Sequence, residues 1–306
     1  MAFTAKDVQA LRERTGVGMM ECKKALTTAE GDMDKAVEIL REKGLAAAEK
    51  KSGRIAAEGV VLAMRDEASE IGVVIEVNAE TDFVAKNEKF MDFVNACAKT
   101  VAANKPATVE ELLAMKMVGS ETTVEEELRD KIHTIGENMK IRRFTYAEGA
   151  LTTYVHGGGR IGVMVTFDTD LAGKEDFEVY AKDVAMQIAA INPTYLDKAD
   201  VPADIIEHEK EILRAQIAND PKLSGKPAQI IEKMIDGRIE KFFKENCLNG
   251  QAFVKDGDIN VAQYTEQVAS RLGGSIKITG FVRFEKGEGL EKREDNFADE
   301  VASMMK

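Results

Sequence analysis

The 306-residue chain has no Trp, 5 Tyr, 3 Cys and 3 His, and its formal net charge is -12. Each shortage removes a class of function. The absence of Trp and the scarcity of Tyr remove the usual platforms on which unpaired bases stack. An acidic chain also lacks the clustered Lys and Arg that phosphate backbones require, so direct nucleic-acid binding is not expected. Cys22, Cys97 and Cys247 are far apart, odd in number and without a CxxC pair. That argues against both a disulfide framework and a thiolate zinc site, and it fits a reducing compartment. His133, His156 and His208 have no ligand-spaced partner, which argues against a His-based metal site. No apolar run approaches the ~20 residues of a membrane span. The opening Met-Ala-Phe-Thr-Ala-Lys-Asp has neither a signal core nor an Arg-rich transit pattern. The expectation is a cytoplasmic protein without membrane contact, whose partner is a protein or a soluble ligand.

Catalytic and nucleotide-binding motifs are missing as well. Gly157-Gly-Gly159-Arg-Ile-Gly162 formally matches GxGxxG. It precedes a strand instead of a helix, so no helix N-terminus is available for a pyrophosphate, and it reads as a hairpin turn. There is no GxxxxGK[ST]. The His156-Gly157-Gly158-Gly159 stretch lacks the GxSxG elbow that would make it an oxyanion loop. The reading is a protein that works by binding, with no cofactor and no catalytic residue.

What the chain does contain is an internal repeat whose copies differ in length. Ala57-Glu58-Gly59 recurs as Ala147-Glu148-Gly149, and Ile71-Gly72-Val73 as Ile161-Gly162-Val163, at an offset of 90. Phe90 then matches Phe177, Val101-Ala102-Ala103 matches Ile188-Ala189-Ala190, and Pro106 matches Pro193, at an offset of 87. The first copy therefore holds three extra residues, in the stretch Asn78-Ala-Glu-Thr-Asp-Phe-Val-Ala-Lys86. A Phe in a loop after a strand either folds back into the core or meets a partner. The insertion and the acidic neighbour Asp82 favour the partner at Phe83.

The remaining segments set the architecture. Thr4 and Asp7 start a helix carrying Val8 and Leu11 that Gly16-Val-Gly18 stops. A second helix over Met19–Thr28 and a third from near Asp32 complete a small bundle that resembles a ubiquitin-associated domain. Met19 and Met20 point about 100° apart on one helix, so one small core does not take both. An exposed Met suits an adaptable apolar contact. Each repeat reads as short strands followed by a helix, giving antiparallel sheets and an α+β class. Apolar residues between Pro202 and Glu245 repeat at helical spacing on both sides of Asn219–Pro227, which predicts a helical hairpin arm packing on itself or on another molecule, a second copy of the chain included. The tail from Asn296 to Met305 predicts a short amphipathic helix.

Several motifs in order, Leu11-Arg-Glu-Arg-Thr-Gly-Val-Gly-Met-Met-Glu-Cys-Lys-Lys-Ala-Leu26, Thr81-Asp-Phe-Val-Ala-Lys86, Ile135-Gly-Glu-Asn138, His156-Gly-Gly-Gly-Arg-Ile-Gly162 and the Phe297–Met304 tail, closely resemble the bacterial elongation factor Ts family. The resemblance spans essentially the whole chain. It implies a guanine nucleotide exchange factor for elongation factor Tu, the GTPase that delivers aminoacyl-tRNA. It also implies a bundle over 1–55, core subdomains over 56–140 and 141–285, an arm near 200–245 and a C-terminal module over 286–306. Carried over residue by residue, Thr81, Asp82, Phe83 and Val84 match the family's wedge motif beside the GTPase magnesium site. Met19, Met20 and Lys23 match the bundle's contact with the same domain. His156 and Gly157 match a contact with another Tu domain, Met304 matches the C-terminal contact, and Met139 and Val254 correspond to further interface positions. Three glycines stand here where family members often have Gly-Ala after the His. The competing reading is a ubiquitin-associated-like adaptor without exchange activity, which leaves the unequal repeat unexplained.

Overall fold

In the computed structural model, residues 3–223 and 225–291 are described. The expected tail contact at Met304 lies outside them. The chain divides into two compact units. The first comprises Met1–Tyr146, Val155–Gly162 and Phe284–Lys306, and the second Ala147–Tyr154 and Val163–Arg283.

The first unit opens with three helices, α1 (Ala5–Thr15), α2 (Met19–Thr28) and α3 (Met33–Lys51). Local chemistry sets their ends. Thr4 and Asp7 form a reciprocal capping box on α1, and Gly16 ends it in the left-handed region at φ 68°. Asp32 caps α3 by accepting from the amides of Asp34 and Lys35. Val8, Leu11, Cys22, Ala25, Leu26, Ala36 and Leu40 close the bundle core.

A sheet of β1 (Glu58–Asp66), β2 (Ile71–Ala79) and, after three helices, β3 (Met139–Ala147) follows in the order β1-β2-β3. β1 and β2 pair antiparallel from Glu58 opposite Ala79 to Asp66 opposite Ile71. The intervening helices are α4 (Glu88–Asn104), α5 (Val109–Ala114) and α6 (Val124–Ile135). The expected inward set of α4, Phe90, Phe93, Val94, Cys97 and Val101, is buried against the sheet. At about 1.5–3 kcal/mol for each large side chain taken out of water, that face holds the layer together. Sequence patterning did not indicate α5.

The second unit repeats this plan. β4 (Leu151–His156) and β5 (Ile161–Thr169) precede α7 (Glu175–Ile191), and the last strand, β8 (Ile276–Glu285), lies beside β5 in the order β4-β5-β8. β2 and β5 each have nine residues, and α4 and α7 each have 17. Even the caps correspond, with Lys105 and Asn192 ending the two helices at φ 52° and 54°. The α+β class is as expected. Phe167, Phe177, Tyr180 and Tyr264 form a chain of ring contacts with centroids 5.3 to 6.1 Å apart.

The arm consists of α8 (Ala203–Asn219) and α9 (Ala228–Asn246). It packs on itself through Leu213, Ile217, Ile235, Ile239 and Phe243. Its base is tied by backbone bonds, the amides of Thr194 and Tyr195 both donating to the Asn246 carbonyl at 2.9 and 3.0 Å. A small hairpin of β6 (Ala252–Phe253) and β7 (Asp256–Asn260) and the helix α10 (Val261–Leu272) complete the second unit.

Candidate protein-binding surface

The loop between β2 and α4 is longer than its counterpart between β5 and α7, and the structure locates the excess. Ala79 ends β2 as Thr169 ends β5, at the offset of 90. Val84 and Leu171, at the offset of 87, are both buried, at 4% and 1% exposure. The three extra residues therefore fall among Glu80, Thr81, Asp82 and Phe83, where the second copy has Asp170 alone.

Phe83 is 75% exposed, the highest value among the large apolar side chains described as exposed. Nothing about its residue type favours that position. The backbone around it is pinned on both sides. Val84 opens a short 3-10 turn over Val84–Lys86 and inserts into the first unit's core. On the other side, the Glu137 carboxylate accepts from the Thr81 amide at 2.9 Å and from its hydroxyl at 2.7 Å. Asp82 is exposed beside Phe83.

On the bundle, Met19 and Met20 are 42% and 63% exposed at the start of α2, so neither fills the core. Lys23 lies one turn on, also exposed, with no ion pair among the described residues. These three form a patch with an apolar, deformable part and one cation. His156 and Gly157 are exposed at the tip of the glycine turn. Gly157, Gly158 and Gly159 all have positive φ, at 60°, 63° and 93°. Gly159 has a second reason to be Gly, since a Cβ there would come within 2.1 Å of Val60 Cγ2. Its carbonyl accepts from the Val61 amide at 2.8 Å, so the turn is seated on β1. In the second unit, Val254 is 45% exposed at the tip of the β6–β7 hairpin, its amide donating to Gln187 Oε1 at 2.8 Å.

Two expected contact residues belong to the core instead. Val84 is the loop's anchor, as Leu171 is in the other copy, and Met139 is 3% exposed at the start of β3 within the first unit's core. Neither side chain is on the surface of this chain. Sequence reasoning missed the residues that shape the surface from behind, above all Glu137 and Glu76. The motif Ile135-Gly-Glu-Asn138 was visible, yet its reach of 56 residues back to Thr81 was not.

Glu76 is fully buried in β2. It accepts from Arg142 at 3.0 Å, Arg143 at 2.6 Å, Asn78 at 3.0 Å and the Gly287 amide at 2.8 Å. Burial pushes its pKa up, but these hydrogen bonds outweigh burial and hold the carboxyl below its ordinary range. Gly287 fits there because it has φ 68° and because a Cβ would lie 2.2 Å from the Ala57 carbonyl. The segment that leads to the C-terminal tail is thereby fixed to the first sheet.

No group of His, Cys, Asp or Glu among the described residues is arranged to hold a metal ion. None of the described helices is long and apolar enough to cross a membrane.

Comparison with known proteins agrees with the motifs. Residues 80–288 match the family model described as elongation factor TS. Elongation factor Ts of Clostridium perfringens (strain ATCC 13124) is 54% identical over 305 residues, covering 99% of each chain. Elongation factor Ts of Clostridium botulinum (strain Eklund 17B) is 52% identical over 306 residues, again covering 99% of each. That of Syntrophotalea carbinolica is 48% identical over 309 residues, covering 100% of each. With an exposed loop, an exposed Met pair and matches along its whole length, the chain belongs to the elongation factor Ts family of translation elongation factors.

Proposed function

We propose that this chain binds elongation factor Tu loaded with GDP and promotes release of GDP and its exchange for GTP. The observation that carries the reading is Phe83, 75% exposed in the stretch that makes the first copy longer than the second. In this proposal Asp82 and Phe83 enter the GTPase domain near its magnesium and phosphate sites. Met19, Met20 and Lys23 grip the same domain, His156 with Gly157 and Val254 meet a further part of Tu, and Met304 adds the C-terminal contact. The segments 1–55, 56–140, 141–285 and 286–306 serve as the working modules.

No catalytic side chain is needed. An exchange factor binds the empty GTPase more tightly than the nucleotide-bound one, and by reciprocity the nucleotide weakens the factor equally. Burying one Phe contributes about 1.5–3 kcal/mol, or roughly one to two decades of affinity. The wedge supplies part of the coupling, and the other contacts hold it in place. An adaptor role would use the bundle alone and give Phe83 no task.

Stopped-flow release of a fluorescent GDP analogue from Tu tests this directly. The wild-type chain accelerates release, and Phe83→Ala slows the rate at saturating factor by roughly 10- to 100-fold. Equal rates for the two proteins sink the wedge.

A further inference from the structure

Phe83 is 75% exposed, so its surroundings do little to fix its direction. Its carbonyl accepts from the Lys86 amide at 3.1 Å, which fixes the backbone on the Val84 side, and Thr81 is the nearest anchor on the other. Thr81 is held by both oxygens of Glu137. The bond is returned, because the Glu80 carboxylate accepts from the Asn138 amide and also pairs with Arg54 at 3.4 Å. Asn138 is 8% exposed, and its side-chain amide donates to the Arg54 carbonyl at 2.8 Å and the Ser52 carbonyl at 3.5 Å. Just before Ser52, the Lys51 ammonium donates to the Ile132 carbonyl at 3.0 Å. Gly136, at φ 93°, gives the chain the left-handed turn that places Glu137 and Asn138 side by side.

Three segments remote in sequence thus meet at one turn: the exit of the helical bundle, the loop bearing Phe83 and the start of β3. Carboxylates accepting from backbone amides make the stronger class of hydrogen bond. A loop held in this way loses little further entropy on binding, which is the gain from preorganisation. Both oxygens of the half-buried Glu137 carboxylate are engaged by Thr81, so its effect on Phe83 runs through Thr81.

We propose that Glu137 is a positioning residue for nucleotide exchange, presenting Asp82 and Phe83 in a fixed orientation through Thr81. Asn138 ties the same turn to the base of the bundle and sets the spacing between Phe83 and the Met19–Met20–Lys23 patch. This rests on the exchange-factor reading above.

A double-mutant cycle on the full chain tests it, with GDP release from Tu as the readout. Glu137→Ala slows release at saturating factor by about tenfold, as expected for two charge-assisted hydrogen bonds. Glu137→Gln stays within about twofold of wild type, because the amide can accept from the Thr81 amide and donate to its hydroxyl. In a Phe83→Ala background, Glu137→Ala adds no further slowing, since no wedge remains to be positioned. A purely structural role predicts the same slowing in both backgrounds, and that result overturns the proposal, as does wild-type release by Glu137→Ala. If the wild-type chain does not accelerate GDP release, the exchange reading fails first; if Phe83→Ala releases GDP as fast as wild type, the wedge fails, and with it the role of Glu137 in positioning it. Should Glu137→Ala not fold, Thr81→Val carries the same cycle by removing only the hydroxyl bond. Its expected slowing is roughly threefold, abolished in the Phe83→Ala background.

Discussion

Glu76 shows what one buried carboxylate does in a strand whose every residue is buried. An unpaired charge at that position would be untenable. Here Asn78, two guanidinium groups and a backbone amide surround it, and the Arg142 and Arg143 side chains are themselves only 22% and 30% exposed. Removing the carboxylate takes the shared buried acceptor from two half-buried guanidinium groups, which keep Arg143's pair with Glu288 and bonds to the Glu285 and Glu288 carbonyls. Glu76→Ala is therefore expected to cost about 3–5 kcal/mol, seen as a lower urea midpoint at pH 7. The folded carboxyl titrates below its unfolded value of about 4.3. Its stabilisation is accordingly full above that pH and lost as pH falls through the lower folded value. Glu76→Gln should be less stable than wild type at pH 7, with the gap narrowing below about pH 4. A gap that stays constant from pH 7 to pH 3 contradicts the assignment.

Among the elements, the two strand-to-helix loops form an internal control. The second copy crosses the same gap with Asp170, whose carboxylate accepts from the Ser275 amide at 2.7 Å. Replacing Glu80, Thr81, Asp82 and Phe83 by a single Asp should shorten the first loop to that form. Val84 still anchors the loop, so far-UV circular dichroism should be unchanged. Loss of the Glu80 and Thr81 bonds should cost about 1–3 kcal/mol. GDP release should fall at least as far as with Phe83→Ala. Loss of the fold would show that the excess is structural. Much of this was legible beforehand, because caps and repeats are local or periodic signals. Thr4, Gly16 and Asp32 mark helix ends by their own chemistry, and the change of offset from 90 to 87 located the excess. Burial of Val84 and Met139 was not legible, because a loop residue and a first strand residue have no period to read. Glu137 was equally hidden, since its partner stands 56 residues away and a Glu in a polar turn reads as solvated. The hairpin of β6 and β7, with its two-residue first strand, is too short for alternation to register.

At the scale of the whole molecule, exchange is a cycle of free energies that must close. Met19, Met20, Lys23, Phe83 and His156 belong to one compact unit, while Val254 belongs to the other. A chain that holds its partner at several places can keep affinity when one contact is lost and still lose coupling, because only contacts that differ between empty and nucleotide-bound partner contribute to exchange. Phe83 is proposed to be such a contact, and the exposed Met pair a shared one. Two separately measured ratios should therefore agree for the wild-type chain. The factor's affinity for empty Tu over that for Tu with GDP should equal the affinity of GDP for free Tu over that for Tu bound to the factor. In Phe83→Ala both ratios should shrink together by roughly 10- to 100-fold. In Met20→Ala the factor should bind both forms of Tu more weakly, with the ratio nearly unchanged. Equilibrium titrations with labelled factor and labelled GDP measure all four constants. A Met20→Ala protein whose ratio falls as far as that of Phe83→Ala would place the bundle within the coupling itself and remove the division of labour proposed between grip and wedge.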